Sequence, residues 1–338
     1  MLLTSVLCFI LSFLLTGLLR KYSLAKNIVD IPNHRSSHSL PTPRGGGLAF
    51  VVLFLLVLPL CFYSGFIERS LFFALMMSGV IVAGLGFGDD VAEIPARWRF
   101  VGHFIAAGII LFWFGGLPPI NILAWTLFPG ALSSILALFY LVWLVNLYNF
   151  MDGINGLASI EAITACLGMI SLYWLMGHTD IMPLPLVLSL AVSGFLLWNF
   201  PIPRIFMGDA GSGFLGMTLG AFSIQAAWVD VKLFYCWLIL LGVFIVDASL
   251  TLFRRMLSGE KIYEAHRSHA YQHAAMRLKS HTPVTLAVLL INILWLFPIA
   301  ILVCLGTLKG FYGLLIAYIP LFLLAMRLKA GQVQLQAN

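Results

Sequence analysis

Charge is what this sequence has least of. Only 9% of its 338 residues are Asp, Glu, Lys or Arg, against roughly a quarter in soluble domains. That scarcity excludes a disordered chain and a coiled coil, both of which depend on abundant charge. Cysteine is sparse as well: Cys8, Cys61, Cys166, Cys236 and Cys304 sit in or beside apolar runs with no C-x-x-C or Cys/His spacing. Neither a disulfide framework nor a zinc site is supported. Internal repeats, low-complexity tracts and a polar half are also lacking. What the chain has is 61% hydrophobic residues, distributed from end to end, which reads as one integral membrane domain over 1–338.

Apolar runs long enough to cross a hydrocarbon core of about 30 Å occur near 1–20, 45–63, 70–88, 99–115, 131–148, 154–176, 183–199, 212–228, 233–253, 284–305 and 310–327. These predict an all-α, polytopic helix bundle with about 11 transmembrane helices. Stretches such as Val51 to Leu60 are apolar without alternation, which excludes β-barrel strands. The first run is too long for a signal-peptide core and no A-x-A site follows it, so a retained helix is expected. Gly115 to Gly130 reads as a loop or a re-entrant piece.

Lysine and arginine collect in cytoplasmic loops. Starting the chain outside puts all but Arg69, Lys232 and Lys309 of the 19 basic residues in the cytosol. The N-terminus is therefore expected outside and the C-terminus in the cytosol. Topology accounts for the net charge of +6, and no nucleic-acid partner is required. The inside loops also hold most of the histidines and carboxylates, so any chemistry is expected to face the cytosol.

Five polar constellations lie on that side. The loop from Val29 to Gly47 is rich in Pro and Gly and carries His38 and Arg44; running into a helix start, it suits a phosphate. Gly86-Phe87-Gly88-Asp89-Asp90 ends the third span, where adjacent carboxylates call for a cation or a proton between them. Asn146 to Leu157 places Asn149, Asp152 and Asn155 at steps of three; interhelical hydrogen bonds explain the Asn and Gly but not Asp152. Asn199 to Gly213 sets Asp209 in a Gly-flanked turn that opens a helix, as a metal-bound phosphate needs, although an N-cap role explains Asp209 or Ser212 equally. The long loop before Arg277 holds Arg267, His269 and His273; H-x-x-H-x-x-x-H is not a zinc signature, and anion binding is preferred. Asp247 is expected to pair with a basic group near Arg254 and Arg255, and Glu161 has no assignment. Together Asp89, Asp90, Asp152 and Asp209, with glycines for close approach and His/Arg for phosphate oxygens, describe a membrane-embedded phosphotransferase.

The order of these motifs from about Asp30 to His273 resembles the polyprenyl-phosphate N-acetylhexosamine-1-phosphate transferases, which include the muramoyl-pentapeptide translocase and enzymes that initiate O-antigen and teichoic-acid assembly. The resemblance implies catalytic roles for Asp89, Asp90 and Asp152. It implies Mg²⁺ on Asp209 and Asp152, with Mn²⁺ as the alternative. Substrate contacts are implied for Asn149, Asn155, Asn199, Phe206, Arg267 and His269, the uridine falling near Asn199 and Phe206. His38 and Arg44 are positional candidates for phosphate. Asn155 replaces the second Asp of Asp-Gly-Ile-Asp-Gly, and the translocase's triple histidine is missing, which argues against a pentapeptide substrate.

The implied reaction joins an N-acetylamino-sugar 1-phosphate from a UDP-sugar to undecaprenyl phosphate at the bacterial inner membrane, starting lipopolysaccharide O-antigen or other surface polysaccharide. A homodimer stays open. The competing class is a secondary transporter or channel, whose ionisable groups sit at mid-bilayer on broken helices in inverted repeats; here the acids gather at one surface.

Overall fold

The computed structural model describes residues 2–32, 40–92, 94–123, 125–260 and 266–332. Among them, helices dominate: α1 (Leu2–Ala25), α2 (Leu48–Tyr63), α3 (Arg69–Ala92), α4 (Ala96–Phe114), α5 (Ala131–Met151), α6 (Leu157–Met176), α7 (Pro183–Asn199), α8 (Asp209–Val229), α9 (Val231–Leu240), α10 (Gly242–Leu257), α11 (Ala270–Leu278), α12 (Thr282–Ile291), α13 (Phe297–Cys304) and α14 (Gly310–Arg327). The protein is an all-α polytopic membrane bundle. Every expected apolar run has a helical counterpart, because a chain in lipid must satisfy its backbone internally. Seven described helices or joined helices are long and apolar enough to cross, or eight with α9 and α10 as one span broken by 68°. Helix α2 is apolar but shorter, at 16 residues.

Two small ribbons depart from the helical pattern. The strands β1 (Val29–Asp30) and β2 (Thr42–Pro43) pair antiparallel and deliver Arg44 to the C-terminal end of α3. The Pro- and Gly-rich stretch after α4 forms a second antiparallel pair, β3 (Ile120–Ile122) with β4 (Trp125–Leu127).

Helix α8 is the axis of the bundle, buried almost throughout and packed by α2, α3 and α5. Small residues permit this. A Cβ added to Gly86 of α3 would lie 2.4 Å from the Ala210 nitrogen, one on Gly47 would lie 2.6 Å from the Gly211 Cα, and one on Gly216 would lie 2.4 Å from the Leu144 carbonyl oxygen. Where lipid supplies no hydrophobic drive between helices, such close backbone packing takes its place. On the outer flank, α1 packs on α7 and α7 on α6. A membrane-buried Trp237 donates its indole N–H to Tyr173 Oη at 2.7 Å.

A candidate active site at the helix ends around α8

Three helix ends meet around the start of α8. Asp89 and Asp90 occupy the last turn of α3, Arg99 the first turn of α4, and Asn149 the last turn of α5. Asp152 follows directly as the C-cap of α5, and Asp209 opens α8.

The adjacent carboxylates of α3 divide their work. Asp90 is buried, and its carboxylate accepts the backbone N–H groups of Asp209 at 3.1 Å and Ala210 at 3.4 Å. It thus caps α8 across the bundle, where the free N–H groups and the helix dipole favour an anion. Gly208 makes room with φ +80°, since a Cβ there would lie 2.5 Å from Asp90 Oδ2. Asp89 turns the other way: it accepts the Ile94 N–H at 2.7 Å and pairs with Arg99. The same Arg99 nitrogen reaches Asp209 Oδ2 at 2.9 Å, so one guanidinium bridges the α3 and α8 carboxylates. Asn149 reaches Ser212 Oγ at 3.4 Å, in the first turn of α8. Burial pushes the Asp152 carboxyl well above its ordinary range, and the charges of Asp209 and Asp90 push it further.

Arg44 does not stand open for phosphate. It forks onto the carbonyl oxygens of Asp90, at 2.6 and 3.0 Å, and Asp89, at 3.3 Å, with the Asp90 carboxylate 3.8 Å from its Nε. A cation at a helix C-terminus satisfies carbonyls left without intrahelical partners, which removes the cost expected of two acids there. The Gly45-Gly46-Gly47 run is likewise engaged: the Gly46 and Gly47 N–H groups donate to the Phe206 and Met207 carbonyls at 2.9 and 2.8 Å. It packs the α2 start on the α8 start rather than presenting N–H groups. His38 lies outside the described residues.

Asn199 and Asn155 are also occupied. The Asn199 amide is buried, accepts the Gly156 N–H at 2.6 Å and donates to the Ile205 carbonyl at 3.0 Å. It therefore clamps the loop after α5 to the loop after α7. Asn155 donates to the Pro201 carbonyl at 3.1 Å in the same clamp, and Thr285 donates to the Asn155 carbonyl at 2.8 Å. Phe206 is half-buried beside β2, its N–H on the Pro43 carbonyl at 2.8 Å.

The last of the sequence motifs is set by Asp247, which pairs with neither Arg254 nor Arg255. Its carboxylate accepts the N–H groups of Ala270 at 2.9 Å and Tyr271 at 3.0 Å and lies 3.4 Å from His269 Nδ1. It caps α11, as Asp90 caps α8. His269 is buried and stacks with His266, Tyr271 and the Phe150 ring. Burial, then the neighbouring His269 and Arg255, hold His266 neutral by lowering it to about 3. Tyr271 donates to the Phe150 carbonyl at 2.9 Å, close enough that a Cβ on Gly153 would collide with its hydroxyl. The motif is thereby fastened beside Asp152. Arg267, partly exposed, has a buried Nε with no hydrogen-bond partner.

Beside the carboxylates lies a cavity of about 470 Å³ between α4 and α5. Arg99, Asp209 and Asn149 stand at its polar end, and Phe100, Phe104, Phe139 and Trp143 line the rest. A polar head on an apolar groove accommodates an amphiphile. In the sequence Arg99 reads only as a topology charge, so its place here is new; its signal is an arginine opening an apolar helix ten residues after Asp89.

No three His, Cys, Asp or Glu residues among those described are arranged to hold a metal by themselves. The donor set still suits Mg²⁺, which is commonly bound by one or two carboxylates plus substrate phosphates; Asp209, with Asp89 or Asp152, offers them.

Similarity to known proteins extends over the stretch that carries these residues. The model of glycosyl transferase family 4 matches residues 72–227, from α3 to the end of α8. A probable undecaprenyl-phosphate N-acetylglucosaminyl 1-phosphate transferase of Bacillus subtilis is 28% identical over 86% of this chain and 82% of its own length. A decaprenyl-phosphate N-acetylglucosaminephosphotransferase of Mycobacterium tuberculosis is 28% identical over 83% of this chain and 77% of its own. A phospho-N-acetylmuramoyl-pentapeptide-transferase of Streptococcus mutans is 28% identical over 66% and 73%. The matched stretch carries Asp89, Arg99, Asn149, Asp152 and Asp209, and over it the chain is similar to glycosyl transferase family 4.

Proposed function

We propose that this enzyme transfers an N-acetylamino-sugar 1-phosphate from a UDP-sugar to undecaprenyl phosphate, releasing UMP, at the cytosolic face of the bacterial inner membrane. The carrying observation is the convergence of Asp89, Arg99, Asn149 and Asp209 at the polar head of an apolar groove. The groove takes the first isoprene units and leaves their phosphate beside Arg99. The orientation, N-terminus outside and C-terminus cytosolic, is supported by the distribution of basic residues.

Arg99 bridges two carboxylates while no phosphate competes. A guanidinium fork matches phosphate oxygens bidentately, so an entering phosphate draws it away from Asp89. Asp89 is then free to orient the acceptor. A phosphate monoester has its second pKa near 6 and is mostly dianionic at neutral pH, so it attacks the sugar-linked phosphorus directly. The new P–O bond forms as the P–O bond to UMP breaks, and the base has little to do. Mg²⁺ held on Asp209, with Asp89 or Asp152, would neutralise the diphosphate. Asp90 supports α8 and the turn before it.

The N-acetylglucosamine in the relatives' names puts that sugar first among the UDP-amino sugars. The lipid product then enters cell-wall or other surface polysaccharide assembly. The test is UMP release by purified enzyme given undecaprenyl phosphate and a panel of UDP-amino sugars; no release with any of them, on a folded protein, rejects the proposal.

A further inference from the structure

Glu161 lies in the first two turns of α6 with no exposed surface, and the proposed chemistry does not use it. An ionisable group at this depth is expensive in hydrocarbon and is retained where it binds something. Its partner is Asn292, which opens a π-helical turn (Asn292–Leu296) between α12 and α13. The Asn292 amide nitrogen donates to Glu161 Oε2 at 2.7 Å and to Thr164 Oγ1 at 2.8 Å. Turns of this kind disturb the backbone ladder and recur at functional sites.

Two acceptors remain. Glu161 Oε1 and Asn292 Oδ1 are buried without a hydrogen-bond partner, and they flank the bond that joins the two side chains. Oxygens offering only lone pairs cannot satisfy one another, and an unmet buried acceptor is costly. The Phe244 N–H, in the first turn of α10, acts on the carboxylate but leaves Oε1 unbonded. The titratable groups facing Glu161 are Tyr148 of α5, whose buried hydroxyl also has no partner, and Tyr318 of α14. Among the described residues, no Lys, Arg or His acts on it.

We propose that Glu161 and Asn292 form a buried site for a single positive charge, a proton or a sodium ion, held between Glu161 Oε1 and Asn292 Oδ1. A proton on Oε1 donates to Oδ1 and closes an acid–amide ring, satisfying both atoms at once. A sodium ion takes the same two oxygens. The site ties α6 to the α12–α13 span and to the start of α10, so its occupancy is read in the stability of the bundle. It is independent of the transfer reaction.

The experiment compares thermal unfolding midpoints of the detergent-purified full chain and Glu161→Gln. One series replaces choline by sodium at constant ionic strength; the other varies pH from 5 to 9 without sodium. Ligand linkage predicts that the wild-type midpoint rises by about 2 °C per tenfold increase in the bound cation, and that Glu161→Gln abolishes the rise. A sodium response lost in the variant identifies sodium. A gain on acidification lost in the variant, with a carboxylic-acid infrared band that it also lacks, identifies the proton. If wild type and variant respond identically in both series, the site does not exist. Should Glu161→Gln fail to fold, Asn292→Ala, which removes Oδ1 and keeps the carboxylate, is read by the same criteria.

Discussion

Substituting Gly86 by Ala tests whether the contact of α3 with the α8 start sets the geometry of the reaction. The new methyl group would lie 2.4 Å from the Ala210 nitrogen and from the Asp209 carbonyl carbon, both backbone and unable to swing aside. Ordinary contact needs about 1 Å more, so α3 must retreat by roughly that distance from the turn it caps. Overpacking of this kind costs about 1 to 3 kcal/mol, or a midpoint loss of a few degrees in a chain of this size. The kinetic effect is larger, because Asp89 and Asp90 move relative to Asp209, and a misplacement of about 1 Å can cost on the order of 100-fold in rate. Gly84→Ala is the control: it lies on the same helix, but its Cβ would have nothing within 4 Å. UMP release and thermal unfolding should therefore separate the two variants, with Gly84→Ala close to wild type. A Gly86→Ala enzyme with wild-type turnover would refute the claim that this backbone contact positions the carboxylates.

Asp209→Asn should remain folded and lose UMP release, and removal of divalent metal by chelator should do the same to the wild type; full activity in chelator rejects the metal assignment. Arg99→Ala removes the bridge between Asp89 and Asp209 and should lower kcat/KM about 10- to 100-fold, the worth of one charge-assisted hydrogen bond, with Arg99→Lys recovering part. Asn199→Ala leaves the Gly156 N–H and the Ile205 carbonyl without their partner, so it should lower the unfolding midpoint by several degrees at about 1 to 3 kcal/mol for each stranded group. Asp152 has its carboxyl raised by burial and by neighbouring acids, so its ionisation opposes folding: relative stability is full below the ordinary value of 3.8 and falls as pH rises toward the raised one. In chelator, Asp152→Asn should therefore raise the midpoint at neutral pH and not at pH 3, and equal midpoints at both pH values would contradict the burial.

The helices were legible because apolar length is a local property: each of the expected runs has a helix over it, although only seven or eight of the described helices reach spanning length by themselves. Asp89, Asn149 and Asp209 were legible too, since a carboxylate or amide at the end of so apolar a helix is costly unless it binds something. The pairing of Asp90 with the Asp209 N–H was not, because it joins positions 119 residues apart and depends on α3 packing against α8. For the same reason Arg44 and the glycines before α2 read as a phosphate loop, when their partners are carbonyls at the α3 end and before α8. Asp247 shows a further limit: the nearest basic residues in sequence suggested an ion pair, whereas a helix start more than twenty residues downstream takes its carboxylate.

The backbone contacts along α8 also decide what can move. Gly47, Gly86 and Gly216 bring three helices against one with no side chain between them, and such joints have no rotamer to change and little surface on which to slide. They act as rivets, fixing Asp89, Asp90 and Asp209 as one rigid plate. The groove wall beside that plate is different, being faced by Phe100, Phe104 and Leu252 from α4 and α10, where side chains can swing. A long-chain lipid entering this groove must therefore be admitted by yielding of the aromatic wall, while the carboxylates beside it stay where they are.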